Sequence, residues 1–481
     1  MPKAYALALT VLPGGQADPA GGAAARVETR WRSARTAADR SAGERMRQTG
    51  AMRTIEDHRR AVLALLAPIA QTLGTETLPL SADRVAADPA LYAHRVLAVD
   101  LIAPSSLPSF DNSQMDGYAV CAADLAEATP GQPVRLPVAE RVAAGDPFRA
   151  HRPGTATPVM TGAPIPSGAD AVVQIERADP PVFPSDAVRD ATVAFTAPVV
   201  AGTFVRATGS DVARGDVLLE AGTPLGAAHY GVIAGTGLTE VPVRRRPRVL
   251  LVSTGHEIRD AGTELEPGQI FDSNSLALSV ALQQIGCTVT ARPCRSDEAD
   301  DLLAVLADGA PDADLVVTVG GVSAGAREVV RDALGPLGVE FLKVALQPGG
   351  PQGLGRIVIG AGEHPLPVVC LPGNPVSALV SFEAFVRPAL LAVLLAGVDS
   401  APEPALREVR RAPVAHGFDS PPAHHQLRRG ILRPDGTLEL VGGPSSHLLH
   451  SYAASTVLVH VPVGVTDVAA GDELDFWRID G

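Results

Sequence analysis

Three short segments in the second half of the 481-residue chain hold residue types that bind anions. They read Ser253-Thr254-Gly255-His256-Glu257, Gly320-Gly321-Val322-Ser323-Ala324-Gly325 and Leu371-Pro372-Gly373-Asn374-Pro375-Val376-Ser377. Three glycines within 320–325 would let backbone N–H groups approach a phosphate closely, with Ser323 as a further donor and a helix N-terminus behind. Tight packing of a strand on a helix accounts for such a loop equally well. The loop is not the G-x-G-x-x-G dinucleotide fingerprint, and no G-K-[ST] follows to make it a P-loop. In the third segment Asn374 suits an N-cap and Pro375 a first helical position, so a well-capped helix explains that pair too. Capping alone does not require three such loops side by side. Four acids accompany them: Glu257, Asp272, Asp297 and Glu328. Carboxylates beside phosphate-binding loops suit a bridging Mg²⁺, and each also reads as a cap or a surface charge, Asp272-Ser273-Asn274 as an N-cap above all. Lys343, in VEFLKVAL, points either at the loops or out to solvent.

These loops need a sheet to hold them. From Pro247 onward apolar strand-like runs (PRVLLVSTG, CTVTARPC, DLVVTVGG, PLPVVCLPG) alternate with helical periodicity (NSLALSVALQQIG, EADDLLAVLADG, AREVVRDALGPL, NPVSALVSFEAFVRPALLAVL). That pattern predicts a doubly wound parallel α/β domain over 247–398, with ligands outside the carboxyl ends of its strands. Upstream, 54–74 is a helix with Ile55, Val62, Leu65, Leu66 and Ile69 on one face, and 96–103 is a strand. Residues 118–205 form short apolar runs between Gly and Pro turns, a β-rich domain inserted into a helical and extended domain (52–117 and 206–246) that includes a short helix near 226–237. After a Pro-rich linker, 405–481 reads as a small β-barrel or sandwich with strands at VGGP, STVLVHVPVG and DELDFWRID. The Ala/Gly/Arg-rich stretch 1–51 reads as a disordered extension, with Met52 as a sensible alternative start.

Composition excludes several classes. A formal net charge of −13 with 4% aromatics argues against a nucleic-acid surface. The one basic run, Arg244-Arg245-Arg246, reads as a solvated interdomain turn. Cys121, Cys287, Cys294 and Cys370 have neither zinc nor redox spacing and read as buried thiols in a reducing cytoplasm. The longest apolar stretch, 376–398, is interrupted by Glu383, Arg387 and Pro388, so no membrane span is expected.

Taken in order, FDNSQMDGYAV (110–120), MTGAPIPSGADAVV (160–173), GSDVARGD (209–216), VSTGHEI (252–258), GQIFDSN (268–274), GGVSAG (320–325), QPGGPQGLG (347–355) and LPGNPVSAL (371–379) resemble the molybdopterin molybdenumtransferase family of the MoeA and gephyrin E-domain kind. The resemblance spans 53–480. It implies a four-domain protomer, an elongated homodimer with the active site between subunits, and transfer of molybdenum from molybdate to adenylylated molybdopterin with Mg²⁺ assistance and loss of AMP. It implies catalytic roles for Asp116, Glu257, Asp297 and Lys343, and Mg²⁺ contacts from Glu257, Asp297 and Glu328. It places Thr161, Asp211, Ser253, Gly255, Gly320, Gly321, Ser323, Gly325, Pro372, Gly373, Asn374 and Ser377 around the pterin nucleotide. Asp116 and Thr161 would line the inserted domain's side of the site. The implied partners are a molybdopterin adenylyltransferase and apo-molybdoenzymes.

The chain departs from the family pattern at defined positions. His256 stands in place of an acid, Gly350 and Gln347 in place of lysines, Ser296 in place of an acid, and Glu328 in place of Asp. Positive charge is lost from the expected oxyanion region and negative charge from the expected metal region. Two further functions stay open on these grounds. One is a paralogue that binds molybdopterin without turnover. The other is a molybdopterin adenylyltransferase, which the extra N- and C-terminal modules argue against.

Overall fold

The alternating strand and helix segments after Pro247 build one six-stranded sheet in the structure, a computed structural model that describes residues 52–185, 190–323, 325, 328–359, 365–396 and 404–480. The extension expected over 1–51 and most of the expected linker lie outside these residues. In chain order the elements are β1 (Arg248–Ser253), α1 (Ser273–Gln284), β2 (Thr288–Ala291), α2 (Ala299–Gly309), β3 (Leu315–Val319), α3 (Val329–Leu334), β4 (Glu340–Lys343), β5 (Pro351–Ile357), β6 (Leu366–Leu371) and the long helix α4 (Pro375–Leu395). The strand order is β2-β1-β3-β6-β5-β4. β2, β1, β3 and β6 run parallel, β5 joins β6 antiparallel, and β4 pairs antiparallel with β5 at the edge of the sheet. The glycine-rich PQGLG of β5 carried no apolar run, so the sequence did not announce that strand.

Successive side chains on a strand face opposite ways, and the sheet's two faces divide accordingly. Val249, Leu251, Val317 and Leu371 pack against α1, α4 and the N-terminal helix Ile55–Leu66. Leu250, Val252, Val316 and Cys370 pack against α2 and α3. Burying a side chain such as Leu282 or Leu302 contributes about 1.5–3 kcal/mol. Helix α4 is long and apolar enough to cross a membrane, but 72% of that stretch is buried inside the fold. Its Glu383 is paired with Arg407 at 2.7 Å. Cys287, Cys294 and Cys370 are buried as expected and Cys121 is only half-buried; all four are free, and desolvation pushes the Cys287 and Cys370 thiols up to about 12.

The N-terminal helix is capped by Thr54, whose hydroxyl accepts the Asp57 N–H, and it breaks at Pro68. The single strand expected at 96–103 is two strands, Arg95–Val96 and Leu101–Ile102. The turn between them contains Asp100, whose carboxylate accepts the Ala221 N–H at 2.8 Å. The basic run is not solvated. Arg244 is 8% exposed and donates to the carbonyls of Val393 and Leu394 at the end of α4. Arg245 makes two bonds to Asp314, at 2.8 and 2.9 Å, and Arg246 donates to the carbonyls of Ala90 and Ala93. Carbonyls and a carboxylate absent from the local sequence turn the three arginines into a joint between modules.

The inserted β module packs around Tyr118 and Phe195 and has its own core. At the C-terminus the strands Arg410–Pro413, Glu473–Arg478, Val457–Val461, His425–Leu432 and Leu438–Leu440 are hydrogen-bonded in succession, and a Val414–Leu438 bridge closes them into a barrel. VGGP, expected as a strand, is the loop that leaves Leu438–Leu440. Its backbone carbonyls are claimed by Arg429, which donates to Gly443 O and, at 2.9 Å, to Ser445 O.

Candidate functional site

A cleft of about 850 Å³ opens outside the carboxyl ends of β1, β3 and β6. The three loops read from the sequence supply one wall. Ser253 and Glu257 come from the first, Gly320, Gly321, Ser323 and Glu328 from the second and its helix, and Pro372, Gly373, Asn374 and Ser377 from the third. Lys343 also lines the cleft, at the end of β4. The loops are fitted to one another through glycine. Gly320 holds φ +101°, and a Cβ there would sit 2.8 Å from the Thr254 carbonyl oxygen. A Cβ on Gly373 would lie 3.1 Å from the Gly320 Cα. Only glycine gives both the left-handed backbone and the close approach. Asn274 Nδ2 donates to Gly373 O at 2.8 Å, tying the third loop to α1.

Asp272 caps α1 as expected and does more. One oxygen accepts the Ser275 N–H at 2.9 Å. The other accepts the hydroxyls of Ser253 at 2.5 Å and Ser275 at 2.6 Å. The cap therefore fixes a hydroxyl on the first loop. Asn374 occupies the N-cap position of α4 but makes no capping hydrogen bond there. The structural explanation offered for it in the sequence does not hold, and its amide lines the cleft instead.

The expected metal set is not assembled. Among the described residues no three His, Cys, Asp or Glu side chains are grouped as a metal site. The two oxygens of Glu328 accept the N–H groups of Ser323 (3.0 Å) and Gly325 (3.2 Å), closing the second loop. Asp297 is 2.8 Å from His256 Nδ1 and does not line the cleft. The imidazole that replaced an acid has recruited the acid next to it. Glu257, 3.8 Å from the same nitrogen, is the carboxylate of that trio that faces the cleft. Gly255 and Gly325 shape the loops without lining the cavity.

Asp116, Thr161 and Asp211 do not line this cleft. Asp116 Oδ1 accepts the Thr161 N–H at 2.7 Å and its hydroxyl at 2.8 Å. These bonds, the backbone one first, hold the Asp116 carboxyl below the usual carboxylate range. Asp111 makes the same arrangement with Thr208. Asp211 lies in a turn whose N–H donates to Leu107 O.

The opposite wall was missed by the sequence. His424, Pro444, Ser445 and Ser446 of the C-terminal barrel line the cleft, with Gln347 and Gly350 beside them. Backbone contacts hold the barrel there. The strand Leu346–Gln347 pairs with His425–Gln426, and the Val376 N–H donates to Ser446 O at 3.2 Å. The signal available was the polar run HHQLRR inside an otherwise apolar tail.

Comparison with known proteins gives matches along the chain. Residues 53–237 match the MoeA N-terminal region (domain I and II), 251–392 a probable molybdopterin binding domain, and 411–479 the MoeA C-terminal region (domain IV). Molybdopterin molybdenumtransferase 2 of Mycobacterium tuberculosis (strain H37Rv) is 43% identical, covering 89% of this chain and 100% of its own. The molybdopterin molybdenumtransferase of Synechococcus elongatus is 36% identical, covering 86% of this chain and 97% of its own. A solved structure of the molybdopterin biosynthesis moea protein from Pyrococcus horikoshii superposes with a TM-score of 0.67 at 28% identity, covering 87% of this chain and 99% of that one.

Proposed function

The chain belongs to the molybdopterin molybdenumtransferase family, and we propose that it binds adenylylated molybdopterin and molybdate, passes molybdenum to the pterin dithiolene and releases AMP. The observation that carries this reading is the cleft itself, lined by glycine loops together with hydroxyl and amide groups from the third loop, from Gln347 and from the barrel. The N–H groups of the second and third loops suit the phosphates. The Ser377 and Ser446 hydroxyls and the Asn374 and Gln347 amides suit a tetrahedral oxyanion. Lys343 adds a cation at the rim. The pterin sulfurs accept the metal, so the protein needs no nucleophile, and no cysteine lines the cleft.

Glu257, Asp297 and Glu328 together do not fit a resident Mg²⁺. Glu257 alone fits the one carboxylate contact that a Mg²⁺ carried on substrate phosphates takes. When bound, such an ion neutralises charge on the phosphate oxygens. Ser253, held by Asp272, and Gly320 keep the phosphate wall fixed around it.

Asp116, Thr161 and Asp211 fit this reading through a homodimer, in which the inserted module of one protomer completes the cleft of its partner. Leu276 (70% exposed), Val280, Ile270 and Phe271 leave an apolar patch on α1 and the strand before it, as a dimer face requires. A reduced cytosolic setting suits the four free cysteines. The adenylyltransferase that makes the substrate and the apo-molybdoenzymes that take the product are the implied partners.

The test is AMP release from adenylylated molybdopterin by purified protein with molybdate and Mg²⁺. A second reading, pterin binding without turnover, is favoured by one observation: among the described residues the cleft is lined by one lysine and three acids, Glu257, Asp272 and Glu328. Tight pterin binding with no AMP would establish it in place of the first.

A further inference from the structure

Among the described residues Lys343 is the one lysine lining the cleft and no arginine joins it, and the structure supplies a further source of positive charge from behind the wall. We propose that Gln347 binds the oxyanion as the last member of a hydrogen-bond relay that brings the buried charge of Arg428 to the cleft. This rests on the oxyanion reading of the cleft given above.

Arg428 lies on the long barrel strand and is 8% exposed. Its Nη1 donates not to a carboxylate but to Gln426 Oε1, at 3.3 Å. Gln426 is 1% exposed, and its Nε2 donates to Gln347 Oε1 at 2.8 Å. Gln347 is half-buried and lines the cleft. The chemistry of the first donor fixes the orientation of both amides. A guanidinium has no acceptor, so Gln426 must turn its oxygen to Arg428 and its NH₂ to Gln347. Gln347 must then present its oxygen inward. What remains is the Gln347 NH₂, and no acceptor for it is present among the described residues. Two N–H donors are left for the cleft.

The relay matters because of what surrounds it. Arg428 is held by the Phe418 ring, with its guanidinium carbon 5.0 Å from the ring centroid, and not by an acid. Burial, and then the neighbouring Arg429, keep its pKa below the usual arginine value. An uncompensated buried cation is costly, and hydrogen bonds in series polarise one another in a low-dielectric interior. The Gln347 amide therefore donates more strongly than a free amide would. A dianion in the cleft would compensate the charge. The same anion meets neutral hydroxyls from Ser377 and Ser446, with Lys343 as the one lysine lining the cleft among the described residues.

The experiment is isothermal titration calorimetry of the full chain with sodium molybdate, and separately with adenylylated molybdopterin. Gln347→Glu is the informative variant. It keeps the side-chain volume and the acceptor for Gln426, but removes both donors and adds a negative charge. Gln426→Leu, which adds no charge, separates loss of the relay from repulsion by the new carboxylate. The molybdate Kd is expected to rise at least tenfold in this variant, and about tenfold in Gln426→Leu, with pterin-nucleotide affinity within about twofold of wild type. Arg428→Lys retains the charge and a donor and should stay close to wild type. Unchanged molybdate affinity in Gln347→Glu would overturn the relay while leaving the oxyanion reading intact. Wild-type protein that binds no molybdate would overturn both.

Discussion

Replacing Gly320 by alanine tests whether the cleft depends on the contact between loops. Gly320 holds φ +101°, and its Cβ would lie 2.8 Å from both the Thr254 carbonyl oxygen and the Thr254 hydroxyl. The backbone strain is about 1–3 kcal/mol, and forcing a carbon against a fixed carbonyl adds about 1–3 kcal/mol. A loss near 3 kcal/mol would lower Tm by roughly 6–12 °C for a domain of this size. Gly373 gives the internal comparison. Its φ is not in the left-handed region, and its Cβ would meet only the Gly320 Cα, at 3.1 Å. Gly373→Ala should cost about 1 kcal/mol, because a shift of a few tenths of an ångström relieves it. Calorimetric melting gives the stabilities, and titration with adenylylated molybdopterin gives the effect on the phosphate wall. Gly320→Ala should weaken binding more than Gly373→Ala. If Gly320→Ala melts with wild type, or if Gly373→Ala is the more damaging, the loops are not interlocked as described.

Asp272→Ala removes an N-cap and releases the Ser253 hydroxyl; a loss of about 1–2 kcal/mol in urea denaturation is expected, with weaker pterin-nucleotide binding. Burial lowers His58 from 6.5 to about 3, and burial followed by repulsion from His425 does the same to His460. Both stay neutral in the fold while the unfolded chain takes up protons, so their stabilisation is complete above pH 6.5 and is lost as pH falls toward 3, at up to about 1.4 kcal/mol per pH unit each. His58→Gln should reduce that slope in denaturation curves between pH 6 and 4, and an unchanged slope would count against it. Asp116→Ala should leave the melting temperature within a few degrees and abolish AMP release, with activity restored in mixed dimers carrying one cleft-defective protomer. Leu276→Asp should shift sedimentation toward the monomer if the exposed face of α1 is the dimer contact.

The glycine loops and the helices behind them were legible because their signals are local: an apolar run, a turn and a 3.6-residue period lie within a few residues of one another. The barrel's share of the cleft was not. His424 and Ser446 reach it through the pairing of Gln426 with Gln347, some eighty residues away in sequence, and through the bond from Val376 to Ser446. The strand after His424 also buries Gln426, Arg428 and Arg429, so it lacks an apolar pattern. The same limit explains Arg244–Arg246, whose partners are distant carbonyls and Asp314. Asn374 misled in the other direction, because its residue type suits a cap that the structure does not use. Asp297 was placed near the metal on the strength of its charge, and the neighbouring His256, visible in the sequence, proved to be its partner.

The largest apolar core is not the property of any one module. It runs from Ile55 and Val62 on the N-terminal helix through β1, β3, β6 and α4 to Leu427, Leu458 and Trp477 of the barrel. The inserted β module, in contrast, keeps Tyr118, Phe195 and their neighbours to itself. The protein is therefore unevenly divisible. The insert is a cassette that duplication or recombination can exchange at its two crossings. The body, the first helix and the barrel depend on one another to fold, since a break between any two of them exposes part of a shared interior.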